Sequence, residues 1–403
     1  MKKNTISFGP KSIFFAMLVT VILLSIFSVT APFGVEVYES KIVAVSQVEI
    51  VPVQDDKKTA VLHLDIPEPV KALYMTSCVA SSRSLRDGLV KFIEETELNS
   101  VIIDIKDYTG TVSFTPKNDK LLHAVSTRCP VSDLEEFITH LHQKDIYVIG
   151  RLTVFQDPHL AGRRPDLAVL FESSKEVWKD NKGLSFIDVG AKEAWKYNID
   201  IVLESYGIGF DEINFDYIRY PSDGPMKDIY FPHTDGRKKA DVLEDFFAYL
   251  YEELKDTGIV TSADLFGMTT TVGSDMNIGQ VLERALPYFD YISPMVYPSH
   301  YPVGFNGWGD PNKYPYEVVN FAMETAVDRV NILKTSTTTP QWIRDKVEIE
   351  QLRPWLQDFD YGGVYGVAEV EAQIKAVYDA GLTSWMMWDP ANHYTRSAYK
   401  KEL

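Results

Sequence analysis

The sequence predicts a (β/α)8 barrel over residues 71–403, preceded near the N-terminus by one apolar transmembrane or signal helix. Three observations carry this reading. From Lys71 onward, eight short apolar runs alternate with amphipathic stretches of helical period, as in a parallel sheet covered by helices. One of those runs, from Phe210 to Pro221, alternates strictly: Ile213, Phe215 and Tyr217 fall on one face, and Glu212, Asn214 and Asp216 on the other. Several runs also end in carboxylates, where such a barrel presents its reactive groups.

The elements follow in order. Lys2, Lys3 and Lys11 precede an uncharged, largely apolar run over residues 12–34, long enough to cross a bilayer as a helix of roughly 20 residues. The lysines place the N-terminal tip in the cytoplasm and the rest of the chain outside it. Cleavage of the run as a signal peptide is the alternative, although Pro32 follows the best small-residue site, Val29-Thr30-Ala31. Residues 35–70, with Val-rich pieces, the turn Asp55-Asp56-Lys57-Lys58 and Pro67 and Pro69, read as a stalk or linker.

Strands are expected at Ala72–Ser77, Ser100–Ile105, Ile146–Thr153, Glu212–Ile218, Val260–Phe266, Tyr291–Tyr297, Leu352–Phe359 and Thr383–Trp388. Helical patterns between them include Ser84–Leu98, Val131–Lys144, Ala191–Tyr206, Lys239–Lys255 and Ala368–Ala380. An open doubly wound sheet would not need eight strands, and no GxGxxG follows the first strand to suggest a dinucleotide site. Little chain follows the last strand, so the eighth helix must be short.

Composition narrows the function. The 403 residues carry a net charge of −17, which argues against nucleic acid and against holding an anionic membrane by charge. Acidic groups together with many Trp and Tyr suit a neutral, polar substrate. Two cysteines, Cys78 and Cys129, lack metal-ligand spacing, and export would permit a disulfide without establishing one. None of the eight histidines forms an HxH or HxxxH pair near a strand end, so neither a metal nor a cofactor is expected.

At the expected strand ends, Asp216, Asp264 and Asp358 are the candidate catalytic carboxylates. Asp104, Arg151, Asn214, Arg219, Tyr297, His300, Trp355, Trp388 and Asp389 are candidate substrate contacts, with Tyr108 a further aromatic at the mouth. Glycoside hydrolysis needs two carboxyl groups, one ionised and one protonated, and close carboxylates separate their pKa values by repulsion. A strand-end aspartate taken alone is commonly a helix cap or turn residue. Asp104 could instead pair with Arg151, and Arg219 could clamp its own loop. Asp211 reads as a strand-start turn, Trp385 as core, and His159 as an ordinary surface residue.

The runs VIIDIKDYTG (101–110), FDEINFDYIRYPSDG (210–224), SADLFG (262–267), ISPMVYPSHY (292–301) and RPWLQDF (353–359) resemble an uncharacterised bacterial family classed as glycoside hydrolases. That resemblance implies a TIM barrel related to the α-amylase-like enzymes. It implies that Asp216 is a nucleophile, Asp264 an acid and Asp358 a supporting carboxylate. Asp264 stands where those enzymes usually carry Glu, and Asn214 where they carry Arg. The fourth strand also resembles the chitinase-like Asp-x-x-Asp-x-Asp-x-Glu pattern through Asp211, Asn214 and Asp216, but Ile218 replaces the acid. The reading is a membrane-anchored, extracytoplasmic glycoside hydrolase acting on a polysaccharide. The alternative is a non-catalytic carbohydrate-binding barrel that tethers the envelope to the membrane.

Overall fold

A computed structural model describes residues 61–401. The apolar run 12–34 and most of the expected linker lie outside the described residues. Within them, no helix is long and apolar enough to cross a membrane.

Eight parallel strands close into a barrel in sequential order: β1 (Lys71–Met75), β2 (Ser100–Lys106), β3 (Tyr147–Thr153), β4 (Glu212–Asp216), β5 (Val260–Phe266), β6 (Tyr291–Met295), β7 (Trp355–Gln357) and β8 (Trp385–Trp388). All eight coincide with expected runs, and their ends differ for local reasons. β1 stops before Thr76, whose side chain caps the turn Ser77–Ala80 by accepting from Val79 N at 3.2 Å. β4 stops at Asp216 because Tyr217 adopts φ 51°, a left-handed conformation that ends the pleat. Tyr217 therefore leaves the outer face assigned to it by alternation and turns toward the mouth.

Long helices cover the barrel: α1 (Arg83–Glu94), α2 (Leu134–His142), α3 (Lys192–Tyr206), α4 (Lys239–Leu254), α5 (Pro315–Thr335) and α6 (Val367–Asp379). Between β5 and β6 come only the short helical turns Gly267–Thr270, Leu282–Ala285 and Leu286–Tyr288 among the described residues, and the eighth position holds the 3-10 turn Arg396–Ala398, the short closing element that the sequence requires. Alternate strand residues build two cores. Leu73, Ile103, Ile213, Phe215 and Leu265 face outward and pack against helix residues such as Ile93, Phe246 and Leu250. Ala72, Tyr74, Ile102, Ile149, Trp355 and Met386 point inward. Trp385 belongs to the outer core, as expected.

The floor of the barrel is polar and sealed. Glu212 and Arg353 form an ion pair with both side chains wholly buried, and Ser262 Oγ donates to Glu212 at 2.5 Å. Asp211 accepts from Leu64 N and Val148 N, both at 2.8 Å, and lies 3.0 Å from His142 Nε2. Leu64 and Ile66 pack against the inner core, so this end of the expected linker is seated on the barrel. Cys78 and Cys129 form a disulfide that joins the segment after β1 to the loop between β2 and α2.

Candidate active site

The register of the barrel decides which side chains meet at its mouth. Asp104 lies opposite Arg151, Arg151 opposite Asn214, Asn214 opposite Ser262, and Asp264 opposite Ser293. Alternation from the inward Glu212 and Asn214 brings Asp216 to the C-terminal rim of β4. On β5, inward Ser262 is followed by inward Asp264.

Asp216 accepts three hydrogen bonds. Tyr217 N donates to Oδ1 at 2.5 Å, Arg151 Nε donates to Oδ2 at 3.0 Å, and Arg151 Nη2 donates to the same oxygen. The left-handed turn at Tyr217 is thus what aims a backbone N–H at this carboxylate. Arg151 spans two acids, since its Nη1 donates to Asp104 Oδ1 at 2.8 Å. Tyr74 OH donates to the other Asp104 oxygen at 2.6 Å. Asp104 thus pairs with Arg151, the alternative left open by the sequence, and helps to fix the guanidinium beneath Asp216, while it also borders the cavity on the β1–β3 side.

Asp264 is held differently. Its Oδ1 accepts from Asn214 Nδ2 at 2.9 Å and Trp355 Nε1 at 2.7 Å, while Oδ2 has no protein donor among the described residues. Burial pushes this carboxyl well above the usual carboxylate range, and the charge of Asp216 pushes it further. Asn214 and Trp355 act here as positioning groups. Asn214 also donates to Ser262 Oγ at 3.0 Å.

Asp216 and Asp264 line one cavity of about 520 Å³ together with Arg151, Arg219, Tyr297, His300, Trp355 and Trp388. Tyr297 and Trp388 form an aromatic wall, with ring centroids 5.0 Å apart. Burial lowers the pKa of His300, whose Nδ1 lies 2.9 Å from Ser299 Oγ. Gly267 gives the floor its shape, since a Cβ there would meet the Met295 carbonyl oxygen at 2.4 Å. Phe266 and Tyr301, not among the sequence candidates, and Tyr217, expected on the outer face, complete the lining. A larger cavity of about 1110 Å³ adjoins on the β1–β3 side and shares Arg151, Tyr217, Arg219 and Trp388. Its walls include Tyr108 and Lys182, the latter from the long segment between β3 and α3.

Two expected site residues do not join this group. Asp358 accepts from Thr395 N at 2.9 Å, Thr395 Oγ1 at 2.6 Å and Tyr399 OH at 2.9 Å, so it pins the chain after β8. The cause is register. Trp355 points inward and Leu356 outward, so Gln357 points inward and Asp358 is turned away from Asp264. Asp389 caps its own loop, accepting from Ala391 N at 2.6 Å and His393 N at 3.2 Å. Both line a separate depression beside Trp388. His159 is not an isolated surface residue, since its Nε2 lies 3.0 Å from His123 Nδ1. No cluster of three or more His, Cys, Asp or Glu that could hold a metal occurs among the described residues.

A family model described as "putative glycosyl hydrolase domain" matches residues 72–394, the whole barrel. The chain belongs to this family. The family's description agrees with the glycoside hydrolase class that the motifs imply. No curated protein matches the chain. Among solved structures, a hypothetical protein from Ruminiclostridium thermocellum ATCC 27405 is 34% identical over 48% of this chain and 96% of its own, with a TM-score of 0.43. The PgaB (BpsB) glycoside hydrolase domain from Bordetella bronchiseptica is 14% identical over 84% of this chain and 100% of its own, with a TM-score of 0.57, which is a likeness of fold. A GH18 chitinase from Pseudoalteromonas aurantia is 12% identical over 80% of this chain and 95% of its own, with a TM-score of 0.47.

Proposed function

We propose that the protein hydrolyses glycosidic bonds of a polysaccharide outside the cytoplasm, with Asp216 as the anionic partner and Asp264 as the general acid. One observation carries the assignment. Of the three expected carboxylates, only Asp216 and Asp264 border the same cavity, and they are held differently: Asp216 is ion-paired with Arg151, whereas burial raises the pKa of Asp264. Asp264 is buried, its pKa raised by that burial and by the charge of Asp216, and its Oδ2 has no protein donor among the described residues, which suits it to give a proton to the glycosidic oxygen. As that C–O bond breaks, positive charge grows on the sugar carbon, where Asp216 either attacks or stabilises the cation. Water then completes hydrolysis and returns a proton to Asp264. The aromatic wall of Tyr297 and Trp388 offers a surface on which a sugar ring can stack.

The test is dependence on the leaving group. Asp264→Asn should lower kcat/KM on a natural glycan by about 10²–10⁴-fold, the range expected for general acid catalysis. On a dinitrophenyl glycoside, which needs no protonation, the loss should be about tenfold or less. The pH profile gives the sign. A carboxyl with a raised pKa is competent below that pKa, so activity falls as pH rises through it. The alkaline limb on the natural glycan should be absent when the dinitrophenyl substrate is cleaved. Equal losses on both substrates would remove Asp264 from the acid role.

Location outside the cytoplasm rests on residues 12–34 with the lysines before them. We expect this run to persist as an anchor. The intact mass of the native protein should include it, and a new N-terminus between residues 28 and 40 would instead mean a cleaved signal.

A further inference from the structure

We infer that the glycan bound here is anionic, and that Arg219 holds a carboxylate, sulfate or phosphate group of it where the two mouth cavities meet. The inference rests on the glycoside hydrolase reading above and adds the charge of the substrate.

Arg219 is only 8% exposed, yet it forms no ion pair among the described residues. The other arginines buried to this degree are paired, Arg86 with Asp133 and Arg353 with Glu212. Its neighbour in the cavity, Arg151, is paired twice. Arg219 uses only Nη1 within the protein, donating to Tyr220 O at 2.9 Å and Ser222 Oγ at 3.3 Å. It therefore does clamp its loop, but Nε and Nη2 remain without acceptors, and the residue lines both cavities.

The guanidinium lies over Phe266 at 4.7 Å, Tyr217 at 5.0 Å and Phe186 at 5.9 Å from the ring centroids. Such stacking offsets only part of the cost of taking a charge out of water. Arginine cannot escape by losing its proton. A planar fork with two donors unused by the protein, on a residue that lines both cavities, matches an oxyanion of the ligand.

Nearby acids do not fill the role. Asp216 is engaged by Arg151, Asp180 accepts from Lys182 N and Leu184 N at 2.8 Å each, and exposed Asp223 approaches Asn181 at 3.4 Å. Asp107 on the same wall is satisfied by Thr109. Lys182 and Arg128, which also line the larger cavity, form no ion pair among the described residues and add positive charge. The chain's net charge of −17 opposes this only from a distance, because surface charge is screened within about 8 Å at physiological salt.

The test uses the full chain in an Asp264→Asn background, so that binding is read without turnover. Its probes are uronic-acid, sulfated and phosphorylated oligosaccharides, each beside its carboxyl-reduced, desulfated or dephosphorylated counterpart. At least one charged probe should bind about tenfold more tightly than its neutral form, and Arg219→Gln should remove that preference by weakening the charged probe much more than the neutral one. Arg219→Lys, which keeps the charge and loses the fork, should recover part of it. The inference is overturned if charged and neutral forms bind alike, or if Arg219→Gln keeps the preference. The comparison of charged with neutral probes needs no change at Arg219, so equal binding of the two forms overturns the inference even if those variants do not fold. Binding of neutral glycans alone would sink this inference and leave the hydrolase reading standing. Binding of none would end both.

Discussion

Replacing Asp216 with asparagine is expected to abolish glycan hydrolysis while leaving the barrel folded. The carboxylate sits at the rim of β4 and faces the cavity, so it contributes little to apolar packing. Asparagine has nearly the same shape, and its Oδ1 can still accept from Tyr217 N or Arg151. Arg151 keeps its second carboxylate partner, Asp104. The loss in stability should therefore stay within about 1–2 kcal/mol, the cost of weakening hydrogen bonds to a charged group. The chemical loss should be far larger. A neutral amide can neither attack the sugar carbon nor balance its developing positive charge, and losing such a group raises a barrier by roughly 4 kcal/mol or more, about 10³-fold in kcat. Turnover of a verified glycan and thermal unfolding should be measured on the same preparation. Near-normal turnover would end the assignment, and an unfolded variant would make Asp216 structural.

Alternation made β4 and β5 legible before the structure. Glu212, Asn214 and Asp216 repeat every second residue, and Ser262 and Asp264 do the same, so their facing follows from the pleat alone. The same rule misplaces Tyr217, because a left-handed residue breaks the pleat after Asp216, and nothing in Asp-Tyr-Ile-Arg announces the break. β7 was harder. Only Trp355–Gln357 forms a strand, and Arg-Pro-Trp-Leu-Gln-Asp offers polar residues in both registers. A strand so short has too few alternations to choose between Gln357 and Asp358. The α5 helix, Pro315–Thr335, was not singled out, although Pro315 stands at its first turn as expected of a helix start. The cavity walls were the least legible. Lys182 and Phe186 come from the segment between β3 and α3, where neither period holds, and tertiary packing alone brings Phe186 against Arg219 and Lys182 to the cavity that Arg219 lines. The pairing of Cys78 with Cys129 is of the same kind, since two cysteines 51 residues apart have no preferred geometry in the sequence.

Removing the charge of Arg353 alone should be among the most damaging single changes to stability, and removing its partner as well should largely undo the damage. Arg353 enters the barrel floor from the residue before Pro354 and meets Glu212, at the start of β4. Both side chains have no exposure, so neither charge is solvated by bulk water. Arg353→Met would leave the Glu212 carboxylate with Ser262 Oγ at 2.5 Å and Tyr147 OH at a long 3.4 Å, too little to hold a buried anion. Breaking a buried pair from one side costs roughly 3–5 kcal/mol, because the survivor is stranded. The pair itself is a weak source of net stability, since two desolvated charges nearly cancel their attraction. Its Nε and Nη1 have no hydrogen-bond partner, a further cost that an apolar side chain would not carry. Glu212→Gln together with Arg353→Met should therefore lie within about 1–2 kcal/mol of the parent, well above Arg353→Met alone. Denaturant unfolding of the parent, both single variants and the double variant gives the coupling directly. If the double variant were as unstable as the sum of the singles, the damage would come from lost packing in the floor and not from a stranded charge.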